Sequence, residues 1–244
     1  MKIIKVKDYE ELSNLSADIF IDHIKAKPSI TLGLATGSTP VGLYQRLIVA
    51  YNNKNISFKN VKTFNLDEYI GLKQTHPESY FSFMRRHLFD QVDINPDHIN
   101  MPHNDINRLK ENVSEYNELL SENTIDIQVL GIGGNGHIGF NEPGTPFHQE
   151  TFIVDLDQDT REANARFFDS IEEVPTQAIT MGIKNIMQAK EIILLASGTS
   201  KADAVKAMIE GPITESMPAS ILQLHPNCTV IVDEAAASKL ELEA

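Results

Sequence analysis

The chain has 244 residues, of which 41% are hydrophobic, and it carries a formal net charge of −13 and a single cysteine. Because a strongly acidic chain repels nucleic acid and anionic membrane surfaces, we expect neither as a partner. A lone cysteine excludes an intrachain disulfide and fits a reducing compartment, and the charged start MKIIKVKDYEELSNL lacks the apolar region of a signal peptide. No apolar run approaches the roughly 20 residues of a membrane span, so we expect a cytoplasmic protein. The length of the chain favours one α/β domain over residues 1–244.

Short apolar runs alternate with longer amphipathic segments along the chain. The runs are continuously apolar or β-branched, which is typical of strands buried on both faces of a parallel sheet. They are IIKV near the N-terminus, ITLGLA (30–35), VKTFNL (61–66), IDIQVLGI (125–132), EIILLA (191–196) and TVIVD (229–233). The helical patterns are PVGLYQRLIVAYNN (40–53), PESYFSFMRRHLFDQV (77–92), RLKENVSEYNELLSE (108–122) and KADAVKAMIEG (201–211). This alternation predicts a doubly wound, mainly parallel α/β sheet with helices on both faces, as in Rossmann-like folds.

The stretch from Thr145 to about Pro175 is the least regular long piece of the chain. Two interpretations stay open for it, a mobile lid over a site or a surface excursion. Ligand sites in open α/β sheets lie at the carboxyl ends of the strands, so the loops that follow the apolar runs are the places to search for function.

The loop TGSTP follows the run ITLGLA. Gly37 can adopt backbone conformations closed to other residues, Thr39 is a good N-cap, and Pro40 suits a first helical position. The backbone N–H groups of a helix N-terminus, with the hydroxyls of Thr36, Ser38 and Thr39, would form an anion site. No G-K-[ST] follows, so nucleoside triphosphate binding is not implied, and an ordinary capped turn is the alternative.

Two adjacent acids, Asp67 and Glu68, follow the run VKTFNL. Carboxylates at the end of a buried strand are costly unless they are hydrogen-bonded or functional. Adjacent side chains point to opposite sides of an extended chain, so we expect at most one of them to face a pocket. That carboxylate could be a general base, a metal ligand or a loop cap.

The stretch LGIGGNGHIGFNEP (130–143) contains a G-x-G-x-x-G pattern between Gly131 and Gly136. In a dinucleotide-binding site this glycine loop must open a helix. The glycines and prolines after His137 disfavour a helix, so we interpret the glycines as letting backbone approach a ligand. Imidazole transfers protons near neutral pH and a carboxylate can orient it, which makes His137 and Glu142 candidates for catalysis; a structural loop is the alternative.

A second hydroxyl-rich loop, SGTSKADAV, follows EIILLA and places Lys201 in the first turn of a helix that we expect to stop at Gly211. A cation at a helix N-terminus opposes the helix dipole unless an anion lies between them; a solvated lysine is the alternative. Together these loops suggest a phosphorylated substrate and proton-transfer chemistry without a cofactor. No side chains have good zinc-site spacing. Other histidines, interpreted as surface or helix residues, are His76, His87, His98, His103, His148 and His225.

Seven stretches, taken together and in order, resemble the glucosamine-6-phosphate deaminase family, the isomerase/deaminase group related to the 6-phosphogluconolactonases. They are GLATGSTP, TFNLDEYIGL, HPESYFSFM, LGIGGNGHIGFNEPGT, DTREANARFF, TMGI and SILQLHP. They cover nearly the whole chain, and LDEY with GNGHIGFNEP is the most specific combination. The resemblance implies conversion of glucosamine 6-phosphate and water to fructose 6-phosphate and ammonia.

The resemblance also implies roles for individual residues. Asp67 would move the proton between C2 and C1 of the sugar, and His137, oriented by Glu142, would open the pyranose ring. Asn135 stands where many family members carry aspartate, so we expect it to orient its neighbours rather than to act as an acid or base. The positions implied for substrate binding are Thr36, Gly37, Ser38, Thr39, Gly131, Gly139, Arg166 and Lys201.

The segment after the NEP block departs from the family members that N-acetylglucosamine 6-phosphate activates. Those members carry basic residues there and a longer C-terminus, whereas this chain has no Lys or Arg between Glu142 and Arg161. We therefore hypothesise that the chain lacks this allosteric activation, and we expect a monomer or a small homo-oligomer.

Three alternative functions stay open. A lactonase-like hydrolase on the same scaffold would need a histidine and a phosphate site, but no carboxylate to move a carbon-bound proton. A sugar-phosphate-sensing regulator would normally carry a basic DNA-binding segment, and none precedes the first predicted strand. A metal-dependent enzyme would lose its activity when a chelator is added.

Overall fold

The structure is a computed structural model that describes residues 1–156, 158–165 and 168–241. The strands are β1 (Lys2–Val6), β2 (Thr31–Leu34), β3 (Lys62–Asn65), β4 (Asp67–Tyr69), β5 (Ile99–Asn100), β6 (Ile127–Leu130), β7 (Phe152–Asp155), β8 (Gln177–Thr180), β9 (Ile192–Ala196) and β10 (Cys228–Asp233). The α-helices are α1 (Tyr9–Ala26), α2 (Val41–Asn52), α3 (Tyr80–His87), α4 (Leu109–Glu122), α5 (Gln158–Ala165), α6 (Ile183–Met187) and α7 (Ala202–Glu210).

The main sheet has seven parallel strands in the order β1-β10-β9-β6-β2-β3-β5. Each apolar run identified in the sequence contributes a strand to it. Every residue of β2, β6, β9 and β10 is buried, so both faces of the sheet are covered there. The predicted doubly wound, mainly parallel α/β fold is confirmed.

The direction of winding reverses at the centre of this sheet, between β2 and β6. From β2 the chain proceeds outward through β3 to β5, and from β6 it proceeds through β9 to β10 on the other side. At such a switch point the loops that leave neighbouring strands diverge and open a crevice at the carboxyl ends. The two diverging loops are residues 35–40 and residues 131–141, which include the TGSTP and GGNGH stretches.

A second sheet, which the sequence patterns do not predict, has three antiparallel strands in the order β4-β8-β7. Its strands have only three or four residues, too few for an alternating pattern to differ from loop sequence. β4 carries the adjacent acids and follows β3 after a single residue, Leu66. β7 and α5 lie within residues 145–175, so this segment is more regular than its sequence indicates.

Helix α1 is absent from the predicted elements, although a recognisable capping residue precedes it. The Asp8 carboxylate accepts hydrogen bonds from the backbone N–H groups of Glu10 and Glu11, both at 3.0 Å. The helix buries Leu12 and Phe20 completely in the main core. Serines and acidic residues alternate with the apolar residues of this segment, so its 3.6-residue hydrophobic period was not recognised in the sequence.

The predicted start of α2 is wrong by one residue. Pro40, not Thr39, occupies the N-cap position, because residues 38–40 form a turn in which the Val41 N–H donates to the Ser38 carbonyl at 3.4 Å. The Gly42 N–H, which an N-cap side chain could otherwise bind, donates to a tyrosine hydroxyl of α1. The capping of α2 therefore comes from a different helix, which sequence position alone does not indicate.

The remaining predicted helix bounds agree with the observed ones to different degrees. Helix α7 stops at the predicted Gly211, which is its C-cap. Helix α3 is shorter than its amphipathic pattern, because Leu88 leaves helical geometry with φ −150° and a 3-10 turn follows at Phe89–Gln91. In the part of the chain that the structure describes, no helix has the length and apolar character of a membrane span.

Candidate active site

A cavity of about 770 Å³ opens at the switch point, at the carboxyl ends of β2 and β6. It brings together residues that are up to about 160 positions apart in the sequence, because the loops that carry them leave neighbouring strands. The candidate residues that line it are Thr36, Gly37, Ser38, Thr39, Asp67, Gly131, Asn135, His137, Gly139 and Lys201.

One described candidate residue, Glu142, does not line the cavity. Glu142 is 8% exposed and lies behind His137, where its carboxylate contacts the imidazole. Arg166 lies outside the described residues.

A histidine, a glutamate and an asparagine form one hydrogen-bonded group on the loop after β6. The His137 Nδ1 lies 3.3 Å from Glu142 Oε2, and the Asn135 side-chain amide donates to the same oxygen at 2.7 Å. The Asn135 carbonyl oxygen in turn accepts the backbone N–H of His137 at 3.1 Å. The asparagine thus contacts both partners, a geometry that suits the orienting role expected for it.

The glycines of this loop serve different purposes. A Cβ on Gly133 would lie 2.4 Å from the His137 ring, so the imidazole packs directly on the glycine backbone. Gly136 has φ +88° and lies against Met217, whereas a Cβ on Gly131 would have no atom within 4 Å. No helix follows these glycines, so the interpretation of G-x-G-x-x-G as a chance match to the dinucleotide pattern is confirmed.

The two adjacent acids at the start of β4 point to different environments, as predicted. Glu68 accepts the backbone N–H groups of Tyr69, Tyr80 and Phe81 at 2.8, 2.9 and 2.9 Å, so it ties β4 to the start of α3. Asp67 faces the cavity and is 6% exposed. Burial, with a smaller contribution from the Glu68 carboxylate, raises the pKa of Asp67 to about 8.

Gly139 gives Asp67 its position next to the histidine loop. Its φ of +57° lies in the left-handed region that favours glycine. A Cβ there would lie 3.0 Å from the Thr180 hydroxyl and 3.5 Å from Asp67 Oδ2. The left-handed backbone and the close Thr180 hydroxyl therefore disfavour a larger residue at this position.

An aromatic wall on the small-sheet side of the cavity is missing from the sequence-based candidates. The rings of Tyr69 and Tyr80 are 4.6 Å apart, and Phe140 and Phe168 lie about 6 Å from Tyr69. All four line the cavity. Their positions after strands and in a helical pattern look like ordinary core positions, so only the fold reveals that they share a wall.

Of the histidines expected at surface or helix positions, one lies on a helix but at the cavity, and another is buried. His87, at the end of α3, lines the cavity together with Arg86. His225 is 3% exposed, and its Nε2 lies 2.8 Å from the Ala189 carbonyl oxygen. His225 is therefore a buried structural residue, whose polar tip finds a backbone partner.

Residues 35–40, hereafter the anion loop, and Lys201 also line the cavity. Gly37 has φ +89°, which lets the loop turn sharply. Lys201 ends a 3-10 turn that leads directly into α7, and the preceding Gly198 N–H is held at 3.1 Å by Asp233. The loop after β9 is thus anchored to the end of β10, which places the lysine at the cavity.

The described residues contain no group of three or more His, Cys, Asp or Glu side chains arranged to hold a metal ion. The expectation that no cofactor is needed stays a prediction.

The family model for glucosamine-6-phosphate isomerases/6-phosphogluconolactonase matches residues 8–231. The glucosamine-6-phosphate deaminase of Clostridium novyi (strain NT) is 53% identical over 241 residues, which are 98% of this chain and 100% of that protein. Glucosamine-6-phosphate deaminase 2 of Bacillus subtilis (strain 168) is 53% identical over 244 residues, 99% of this chain and 98% of that protein. These matches confirm the resemblance that the motifs indicate.

Solved structures agree with the sequence matches. A structure described as a monomeric glucosamine-6-phosphate deaminase is 48% identical, with a TM-score of 0.95, and covers 98% of this chain and 99% of its own. The 6-phosphogluconolactonase from Trypanosoma brucei has a TM-score of 0.80 at 20% identity, covering 98% of both chains. At that identity the lactonase shares the fold alone.

Proposed function

This chain belongs to the family of glucosamine-6-phosphate isomerases and 6-phosphogluconolactonases, and from this premise we propose that it converts glucosamine 6-phosphate and water to fructose 6-phosphate and ammonia. The observation that carries the proposal is that Asp67 and His137 line one cavity together with the anion loop and Lys201. The close relatives named as deaminases support the same substrate.

His137 is proposed to open the sugar ring. A closed pyranose has no acidic C2 proton, so a proton must first pass from O1 to O5. The imidazole can accept the proton of the O1 hydroxyl and deliver a proton to O5, while the Glu142 carboxylate at 3.3 Å fixes the ring orientation. Asn135 holds the Glu142 oxygen and the loop backbone at the same time.

Asp67 is proposed to move the carbon-bound proton. The carboxylate removes the proton from C2 of the open chain and returns it to C1, which leaves an imine at C2. Water adds to C2 and ammonia leaves, so the ketose and ammonia account for all atoms of substrate and water. Because burial raises the pKa of Asp67 to about 8, the cationic amino group of the substrate would favour the reactive carboxylate on binding.

The anion loop and Lys201 are proposed to bind the phosphate. Backbone N–H groups and hydroxyls of Thr36, Ser38 and Thr39 suit an anion, and Lys201 adds a positive charge. Arg166, implied by the family resemblance, stays a proposal for the same role. Binding energy from this remote group would position C1 and C2 between the carboxylate and the imidazole.

The segment 145–175 is proposed to cover the substrate. Phe168 supports this, because it lines the cavity and packs against the aromatic wall. The relative described as monomeric supports the proposal that this chain is a monomer or a small homo-oligomer and lacks activation by N-acetylglucosamine 6-phosphate. A sigmoidal rate curve that N-acetylglucosamine 6-phosphate makes hyperbolic would contradict it.

The experiment must distinguish a deaminase from the alternative, a lactonase. The purified protein should release ammonia from glucosamine 6-phosphate, with and without chelator, and should hydrolyse 6-phosphogluconolactone no faster than buffer does. Tight binding of the sugar phosphate without ammonia release would instead favour a sensor, and rapid lactone hydrolysis would favour the hydrolase.

A further inference from the structure

A tyrosine outside the cavity contacts the backbone of the anion loop through its hydroxyl. The hydroxyl of Tyr9, the first residue of α1, lies 3.0 Å from the carbonyl oxygens of both Ser38 and Thr39. The same hydroxyl accepts the Gly42 N–H at 2.9 Å. Tyr9 is not part of the cavity wall, so one side chain from a different helix joins the end of the loop to the first turn of α2.

A second tyrosine holds the other end of the loop. Tyr44 is fully buried, and its hydroxyl donates to the Ala35 carbonyl at 2.5 Å and accepts the Ala35 N–H at 3.1 Å. The anion loop is therefore fixed at its first residue by Tyr44 and at its last residues by Tyr9. Between these anchors lies Gly37, whose positive φ makes the turn.

These anchors set the direction of the loop's N–H groups. In a planar trans peptide the C=O and the N–H of the next residue point in opposite directions. Anchoring the Ser38 carbonyl on Tyr9 therefore directs the Thr39 N–H away from α1, and anchoring the Ala35 carbonyl on Tyr44 directs the Thr36 N–H likewise away from its tyrosine. Both threonines line the cavity.

The close contact between α1 and α2 determines which backbone atoms the Tyr9 hydroxyl can contact. A Cβ on Gly42 would lie 2.1 Å from Ser13 Oγ and 3.0 Å from the Tyr9 hydroxyl, so the two helices touch through glycine backbone. The bond to Gly42 also replaces the cap that Thr39 does not provide. The Thr39 hydroxyl is thus not committed to capping α2 and can face an anion.

We propose that Tyr9 is a positioning residue for the phosphate of the substrate, acting through the anion loop without touching the substrate; this rests on the proposed function. Its hydroxyl holds the loop carbonyls on the far side, so that the loop N–H groups are aligned before the phosphate arrives. Alignment in advance lowers the ordering cost of binding.

The test compares Tyr9→Phe with the wild type. Loss of the hydroxyl removes its contacts with both carbonyls and with the Gly42 N–H. The Ser38 carbonyl keeps only the long bond from the Val41 N–H, and the aromatic ring remains to pack. We expect KM for glucosamine 6-phosphate and the Kd for inorganic phosphate, measured by calorimetry, to rise by about three- to tenfold. We expect kcat to change by less than about twofold, because the remaining contacts still place C1 and C2.

Tyr51→Phe is the matched control, because Tyr51 lies at the other end of α2 and lines a separate cavity. We expect it to leave KM, kcat and phosphate affinity unchanged. Unchanged KM and unchanged phosphate affinity in the Tyr9→Phe variant would overturn the proposal. This holds even if the melting temperature of the variant fell, because the Tyr9 hydroxyl would then only join two helices. If the wild type released no ammonia, the proposed function would fail, while the phosphate titration would still decide the role of Tyr9.

Discussion

The two walls of the cavity are built on different principles. The proposed catalytic wall consists of buried or half-buried side chains, with Asp67 beside Gly139 and His137 against Glu142. The proposed phosphate wall is the anion loop, in which Gly37 and Ser38 are exposed to solvent. Burial raises the pKa of Asp67 in the first wall, whereas an incoming anion can reach the exposed residues of the second. Changes to the first wall should therefore alter kcat, and changes to the second should alter KM.

Asp67→Asn gives the strongest test of this division. The amide keeps the shape of the side chain but cannot accept the C2 proton, so we expect kcat to fall by about 10²- to 10⁴-fold. Affinity for the sugar phosphate should be retained, because the phosphate wall is untouched. Ammonia release and calorimetric titration measure the two quantities. Retention of most of the ammonia release would contradict the proposed role of Asp67.

Gly133→Ala tests the catalytic wall without removing any functional group. The added Cβ would overlap the His137 ring, where the nearest atom is 2.4 Å away. Displacement of the imidazole should lower kcat by about 10²-fold. Gly134→Ala is the control, since its Cβ would meet nothing closer than 4.0 Å. Equal losses in both variants would show that the position of the ring is not the cause.

Lys201→Met tests the phosphate wall. Loss of a charged donor to the phosphate should raise KM by about 10- to 100-fold and change kcat less. Lys206→Met, one turn further along α7 and paired with Glu210 and Glu241, should have little effect on either. A fall in kcat at unchanged KM would break the division between the walls.

The pH dependence of Asp67 gives the smallest expected effect. With a pKa raised by burial to about 8, the carboxyl of the empty enzyme is mostly protonated at pH 7 and ionises as the pH rises. We expect kcat/KM to increase roughly tenfold between pH 7 and pH 9. Carbon-13 NMR of labelled aspartates separates this group from the substrate amine. A resonance titrating near pH 8 should be absent from Asp67→Asn, and its absence from the wild type would contradict the assignment.

The parts predictable from sequence are those that local chemistry determines. Continuous apolar runs identified the strands of the main sheet, and the loops after β2, β6 and β9 were identified as site candidates because parallel strands share one carboxyl edge. Glycine and hydroxyl clusters drew attention to Gly37 and Lys201. Each of these patterns lies within a few consecutive residues. Folding brings the patterns together but does not change the local structure that each one predicts.

The parts that sequence did not predict depend on contacts between distant segments. The small sheet needs the pairing of β4 with β8, more than a hundred residues later, and its strands are too short to show a period. Tyr9 and Tyr44 act through their hydroxyls on loop carbonyls, which no spacing rule indicates. The displacement of the α2 cap from Thr39 has the same origin, because a side chain of another helix binds the N–H that a local cap would bind.

The pairing of β4 with β8 has a consequence for biosynthesis. Asp67, His137 and the anion loop all precede residue 140, yet the strand that holds Asp67 has its partner at Gln177–Thr180. A nascent polypeptide emerging from the ribosome therefore carries the residues proposed for proton transfer before the strand that pairs with β4 has been translated. Competence for turnover should arise late in elongation, after β8 has paired with β4 and the later strands β9 and β10 have joined the main sheet.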